Sequence, residues 1–296
     1  MTAYRVFLLD RIRLTGLLTI NKIYGGQNME TRWELLTPPD FKELAKNHKI
    51  CILPIGSLER HGDHMPFGTD AMVCHAIAVG ASKKEPCVVF PPYWFGQVHE
   101  AGCFTGAINF STRLTLEILE ELLNQIAYNG FEKIVILNGH GGNTHMLEYL
   151  AMSMLDKKVD YTLYIINSLN QSLHIKEIEG IWETDGGHAC ERETSMVMAV
   201  APETIKMEYQ RFEEPIEPKV DMSHLQGVHT GLWWYAMYPE NVVGCPSKAT
   251  PEKGKKALDA AILSVAEKIK AIKSDTTVPA LHKEFYERCN NVKNNV

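Results

Sequence analysis

The chain lacks the features of a membrane, extracellular or nucleic-acid-binding protein. Its 296 residues contain no run approaching the eighteen or more apolar residues of a membrane-spanning helix. Seven cysteines, at positions 51, 74, 87, 103, 190, 245 and 289, are odd in number and form no C-x-x-C pair. That argues against a disulfide framework and fits reduced, mostly buried thiols in a cytoplasmic protein. Basic residues are in the minority: 30 Lys and Arg against 36 Asp and Glu give a formal net charge of -6, where a nucleic-acid partner would favour a basic face. With 45% hydrophobic and 22% charged residues, the composition is that of a globular protein large enough for one α/β domain. Neither an internal repeat nor a low-complexity segment is present.

The first 28 residues also lack what a leader needs. Val6-Phe7-Leu8-Leu9 is broken at once by Asp10, Arg11 and Arg13, and the patch from Leu14 to Ile20 has no small-residue cleavage site before Lys22. Met29 opens METRWELLTPPDF, so residues 1–28 are read as an appended N-terminal extension and residues 29–296 as a single α/β domain. A chain begun at Met29 is expected to fold and keep its activity, with soluble yield as the check.

What is present is concentrated chemistry. From Pro54 to Asp70 the sequence PIGSLERHGDHMPFGTD places Glu59, His61, Asp63, His64 and Asp70 in one loop rich in Gly and Pro. The apolar run Ile50-Cys51-Ile52-Leu53 just before it reads as a buried strand. Glu59 and His61, two apart, project to the same side of an extended backbone. A carboxylate and a neutral imidazole together suit a divalent metal such as Zn, Mn or Fe. The plainer alternative is a polar surface loop held by salt bridges, with Asp70 serving only a helix N-terminus.

Further strands are expected at Cys87–Phe90, Ile134–Leu137 and Tyr161–Ile166. Helices are expected from the start signal Thr37-Pro38-Pro39-Asp40, after Asp70, over Thr112–Tyr128 and Thr144–Asp156, from Glu191 through Val200, and over Pro251–Ile272. Residues 202–250, with Trp233 and Trp234, read as an irregular stretch that covers the site or a subunit contact, and the tail after Ser274 as polar surface. Such alternation predicts a three-layer α/β/α fold with a mostly parallel central sheet. Ligands in such folds bind beyond the carboxyl ends of the strands. Three of these places carry Glu, His or Asp groups, at 59–70, 138–143 and 185–193. Together they point to a mononuclear or dinuclear metal hydrolase. The turn GHGGN at 139–143 does not have dinucleotide-binding spacing.

These blocks resemble the creatininase (creatinine amidohydrolase) family over roughly Trp33 to Ala201. GSLERHGDHMPFGTD is similar to its G-S-x-E-x-H-G-x-H-L-P-x-x-T-D signature, NGHGGN to its second block, and GGHACERETS to its third. The resemblance implies a creatininase-like α/β fold and a two-metal amidohydrolase. Such an enzyme cleaves a C–N bond in a small, often cyclic, amide or formamide by metal-activated water. By position, Glu59 and His140 would hold one metal, His61 the other, and Asp70 would bridge them. His188 would be the acid/base that protonates the leaving nitrogen, with Glu193 as its orienting partner or a substrate contact.

Where creatininase has a second-block Glu this chain has Gly142, so Glu191 is the residue expected to complete the second metal site. Asp185, Gly186, Gly187, Val98 and Gly141 fall at substrate-side positions. There Val98 replaces a Ser and Gly141 a Tyr, and Thr184 replaces a Trp, which argues against creatinine itself. The resemblance also implies a homo-oligomer, up to a hexamer, acting on a small-molecule amide with no nucleic-acid or membrane partner. Two other classes stay open: a non-catalytic metal-binding protein, and a dinuclear metallophosphoesterase. The latter needs Arg or Lys near the metals, and only Arg60 and Arg192 are close in sequence.

Overall fold

The computed structural model describes residues 29–167, 178, 180–184, 186–213, 216 and 218–292. The extension expected at 1–28 and the substrate-side Asp185 lie outside them. In chain order the main elements are α1 (Pro38–His48), β1 (Ile50–Ile55), α2 (Thr69–Lys84), β2 (Val88–Val89), α3 (Thr112–Tyr128) and β3 (Lys133–Asn138). Then follow α4 (Thr144–Ser153), β4 (Thr162–Ile166), α5 (Glu191–Val200), the short α6 (Trp233–Met237), α7 (Pro251–Ser274) and α8 (Thr277–Asn290).

The four strands form one sheet in the order β2-β1-β3-β4, with every neighbouring pair parallel. β1 is buried at all six positions and β3 at five of six, as central strands covered on both faces must be. Alternate residues of β1 then sort into two cores. Ile50 and Ile52 pack with Val73 and Ile77 of α2, Val197 of α5 and Ala261 and Val265 of α7. Cys51, Leu53 and Ile55 pack with Leu44 of α1, Leu119 and Leu123 of α3 and Leu147 of α4. The chain is thus a three-layer α/β/α protein with a parallel sheet. No described helix is long and apolar enough to cross a membrane.

Two expectations needed revision. β2 is only two residues long; Phe90 still donates its N–H to the Ile52 carbonyl (2.8 Å), but Pro91 and Pro92 have no N–H to continue the ladder. The tail after Ser274 is not plain surface but the fourteen-residue helix α8. Asp275 accepts from the Thr277 N–H at 2.8 Å at its start. No residue of α8 is buried, so its apolar members Val278, Leu281 and Phe285 give little contrast against their charged neighbours.

Candidate metal centre

The loops leaving β1 and β3 and the start of α5 meet at the carboxyl edge of the sheet. After β1 the chain folds back so that the Glu59 N–H reaches the Phe67 carbonyl (3.0 Å), and α2 begins at Thr69 with Asp70 in its first turn. β3 ends at Asn138, whose Oδ1 accepts from the His140 N–H at 3.1 Å and from Asn143 Nδ2 at 3.3 Å, which shapes the Gly-rich turn.

Asp70 sits between two sets of donors. Its Oδ1 is 3.1 Å from His61 Nε2, and its Oδ2 is 3.0 Å from His140 Nδ1. Glu59 Oε2 is 3.1 Å from the same His140 nitrogen, and Glu193 Oε2 is 3.9 Å from His61 Nε2. Ligand atoms of Glu59, Asp70 and His140 lie within 4.8 Å of one another, and so do those of His61, Asp70 and Glu193. A third such set, Glu59, His61 and His188, joins them. Both imidazoles are anchored by their outer nitrogens: His61 Nδ1 donates to the Glu59 carbonyl (3.1 Å) and His140 Nε2 to the Gln97 carbonyl (2.8 Å). That leaves the inner nitrogens facing the carboxylates, the arrangement of metal-binding histidines. Glu59 is buried, yet its Oε2 accepts no hydrogen bond among the described residues. Such an orphaned carboxylate oxygen is costly without a cation. The donor set fits divalent metal.

Without metal, protons take the role of the cations. Burial opposes charge on His61, but Asp70, then Glu193 and Glu59, outweigh it and push the imidazole up to about 10. His140 is likewise raised, burial being outweighed by Glu59 and Asp70. Burial would raise Glu59, yet His188, His140 and His61 hold it at about 2. Asp70 too is held below the carboxylate range, His61 and His140 overcoming burial. A raised imidazole stabilises the fold fully below its ordinary 6.5 and loses that contribution as pH climbs towards 10. A depressed carboxylate stabilises above 4.5 and loses its contribution as pH falls towards 2. Chelator-treated protein is therefore expected to be most stable between 4.5 and 6.5 and to weaken above that window. Added Zn2+, which needs neutral imidazoles, should raise the Tm most at the alkaline end. Thermal scans across pH check this; a metal-free Tm that climbs from neutral to alkaline pH would contradict it.

The structure brings Glu59, His61, Asp70, His140, His188 and Glu193 together, and it does not bring Glu191. The Glu191 carboxylate instead accepts from the N–H of Glu183 (3.0 Å) and Thr184 (2.9 Å), from Thr184 Oγ1 (2.9 Å) and from Lys253 Nζ (2.5 Å). The expectation that Glu191 completes the second site is corrected on that ground: its oxygens are tied to the backbone and to α7. Glu193, two residues on and so about 200° round α5, reaches the cluster. Asp63 pairs with Arg60 (2.8 Å) and with Arg211, while His64 Nε2 meets Thr194 Oγ1 at 2.9 Å. Gly142 cannot carry the family's Glu here, since a Cβ would stand 2.5 Å from His140 Nε2 and 3.0 Å from the Gln97 carbonyl.

Of the substrate-side residues, Gly141 is exposed with open space around it. Gly186 is exposed beside Arg192. Gly187 lies where a Cβ would be 2.5 Å from the Val243 carbonyl. Val98 is wholly buried, its backbone clamped by Asn109 at 3.3 and 3.2 Å, so it packs rather than faces a ligand. Sequence reasoning missed Ser57, whose Oγ donates to Asp70 Oδ2 at 2.7 Å, although it stands inside the first signature block. It also missed Gln97 and Asn241; Asn241 lies in the irregular 202–250 stretch, where no periodic or motif signal marks it.

Comparison with known proteins agrees with this geometry. A family profile described as creatinine amidohydrolase matches residues 34–269. A 3-dehydro-scyllo-inosose hydrolase of Thermotoga maritima is 28% identical over 260 residues, 80% of this chain and 81% of the relative. A 2-amino-5-formylamino-6-ribosylaminopyrimidin-4(3H)-one 5'-monophosphate deformylase of Methanobrevibacter smithii is 28% identical over 199 residues, 66% of this chain and 74% of its own. A solved structure from Bacteroides fragilis, named as a candidate creatinine amidohydrolase, superposes with a TM-score of 0.72 at 25% identity, covering 85% of this chain and 99% of that one. Creatininases solved in a Zn–Zn form and in a Mn form share the fold, each with a TM-score of 0.68, at 17% and 18% identity. The profile spans most of the chain, and all three sequence blocks converge on one donor cluster; the chain belongs to the creatininase family and is a metal-dependent amidohydrolase.

Proposed function

We propose that the chain hydrolyses a C–N bond in a small amide or formamide, with two divalent cations per subunit, Zn, Mn or Fe. Glu59, Asp70 and His140 would hold one cation, and His61, Asp70 and Glu193 the other. When bound, such a pair lowers the pKa of a shared water and polarises a carbonyl. The observation that carries this reading is Asp70, whose two oxygens face His61 and His140 separately, at 3.1 and 3.0 Å.

The chain's own groups supply the rest. His188 donates through Nε2 to the Arg60 carbonyl at 3.0 Å, which leaves Nδ1 unprotonated on the Glu193 side, 4.0 Å from Oε2, to take a proton from the attacking water and pass that proton to the leaving nitrogen. Trp234 stands edge-on to His188 with ring centroids 5.6 Å apart, so an aromatic wall comes from α6. Thr184, at the position of a creatininase Trp, is tied to Glu191 instead, which favours an amide other than creatinine. A phosphoester is disfavoured because Arg60 is engaged by Asp63 and Glu240 and Arg192 lies over the Trp182 ring at 5.6 Å. The convergence of His188 and Glu193 on the donor cluster favours turnover over a binding-only role. We also place the protein in the cytoplasm, in keeping with its free buried cysteines. Assembly into a homo-oligomer, up to a hexamer, is supported by the exposed Leu155, Leu281 and Phe285.

The test is metal content of the purified protein, followed by ammonia or formate release from a panel of amides, formamides and lactams with and without chelator. A dehydro-inosose belongs in the same panel, because the Thermotoga maritima relative is named for one. Two metals per chain and chelator-sensitive C–N cleavage are expected. Tight metal with no turnover on any amide would move the reading to a binding role, and absence of metal would overturn the ligand set.

A further inference from the structure

We propose that Asn241, backed by Trp234, is a positioning residue of the centre: it selects which oxygen of Glu59 faces the cations and which nitrogen of His188 carries the proton. The inference rests on the two-metal reading above. Asn241 is wholly buried and has a φ of 52°, the left-handed region that Asn tolerates better than most residues. An indole N–H can only donate, and Trp234 Nε1 lies 2.6 Å from Asn241 Oδ1. The amide orientation is therefore fixed by its neighbours: Oδ1 towards Trp234, Nδ2 towards the site.

Asn241 Nδ2 meets three atoms, the Arg60 carbonyl at 2.6 Å, Glu59 Oε1 at 3.0 Å and His188 Nε2 at 3.1 Å. It has two hydrogens to give, and the first two atoms are acceptors only, so they take them. His188 Nε2 must then carry its own hydrogen, which goes to the second lone pair of the Arg60 carbonyl at 3.0 Å. His188 Nδ1 is left unprotonated on the Glu193 side. Glu59 Oε1 is occupied in the same way, so Oε2, the orphaned oxygen 3.1 Å from His140 Nδ1, is the one left for a cation. The backbone holds the device in place: the His188 N–H reaches the Val243 carbonyl at 3.1 Å, and the Val243 N–H returns to the His188 carbonyl at 2.6 Å. The 202–250 stretch thus completes the centre from the far side.

Two variants test the proposal. Asn241→Gly keeps the left-handed backbone and removes the amide; Trp234→Phe keeps an aromatic ring, smaller than the indole, and removes the N–H. Zn2+ affinity is read by chelator competition, and the His188 tautomer by long-range 1H–15N NMR of the metal-free protein at alkaline pH. Wild type is expected to show the Nε2–H tautomer. Asn241→Gly should lose that single tautomer and bind Zn2+ about 10–100-fold more weakly, the usual cost of removing an outer-shell partner. Trp234→Phe should shift both readouts in the same direction by less. If Asn241→Gly does not fold, Trp234→Phe carries the test through the same two readouts. Unchanged affinity and an unchanged tautomer in the folded variants would overturn the proposal. A wild type that binds no metal would defeat the two-metal reading instead, and the metal-free tautomer would still decide the role of Asn241.

Discussion

Asp70→Asn is expected to empty both cation positions at once and to lower turnover by about 10^3-fold or more, on the order of 4 kcal/mol of barrier. Asp70 is the one described residue common to the donor sets that contain His140 and Glu193. Each of its oxygens serves a different imidazole, and Ser57 Oγ fixes Oδ2 at 2.7 Å. Asparagine has nearly the same shape but carries no charge and offers one acceptor oxygen in place of two. The substitution also frees His61 and His140 from the carboxylate that raises them, so both lose protons more readily and the fold is not left with two stranded charges. Asp70 is at the N-terminus of α2, where loss of negative charge costs only about 0.3–1 kcal/mol. The variant should therefore be folded and metal-poor. Elemental analysis and the amide-release assay check it, and a variant that retains two metals per chain would sink the bridging role. Ser57→Ala is the milder control: it removes one buried hydrogen bond, worth about 1 kcal/mol, and leaves the charge in place.

How much of this could be read from the residues depends on where the information sits. Three of the donor groups fall inside one seventeen-residue stretch, Glu59, His61 and Asp70, and the turn at His140 follows a strand whose apolar run is unbroken. Periodicity and strand-end logic found them because local sequence and local geometry coincide there. The sheet and six of the long helices were legible for the same reason. The choice between Glu191 and Glu193 was not, because both stand in the first turn of α5 and only the tertiary position of Lys253 decides which one turns away. Asn241 was out of reach for a stronger reason: it meets Glu59 across 182 residues of chain, from a stretch with no repeat of any period. The helix α8 was missed because none of its residues is buried, so its apolar stripe has no core to answer to.

Glu191→Ala and Glu193→Gln are expected to fail in opposite ways. Glu191 is 1% exposed in its side chain and paired with Lys253, itself 17% exposed. Its carboxylate also holds the N–H groups of Glu183 and Thr184, so it pins the segment that leads to His188 against α7. Removing it strands two backbone donors and leaves Lys253 with only Glu183 and the Lys248 carbonyl among the described residues, at a cost of about 3 kcal/mol. In a protein of this size that is a fall of roughly 6–12 °C in Tm, while metal content should stay at about two per chain. Glu193→Gln keeps the volume and keeps an oxygen for the Ala189 N–H, now 2.6 Å from Oε2, so stability should scarcely change. It removes the carboxylate that joins His61 and Asp70 in their shared donor set, and metal content should drop from about two to about one. Turnover should fall with it, since the remaining cation lacks a partner to share the water. The pair is informative because each variant controls for the other: a stability defect alone moves Tm without emptying a site, and a lost ligand empties a site without moving Tm. Were Glu191→Ala to shed a metal while Glu193→Gln kept both, the side-chain arrangement at the start of α5 would have to be exchanged, with Glu191 turned inward and Lys253 released.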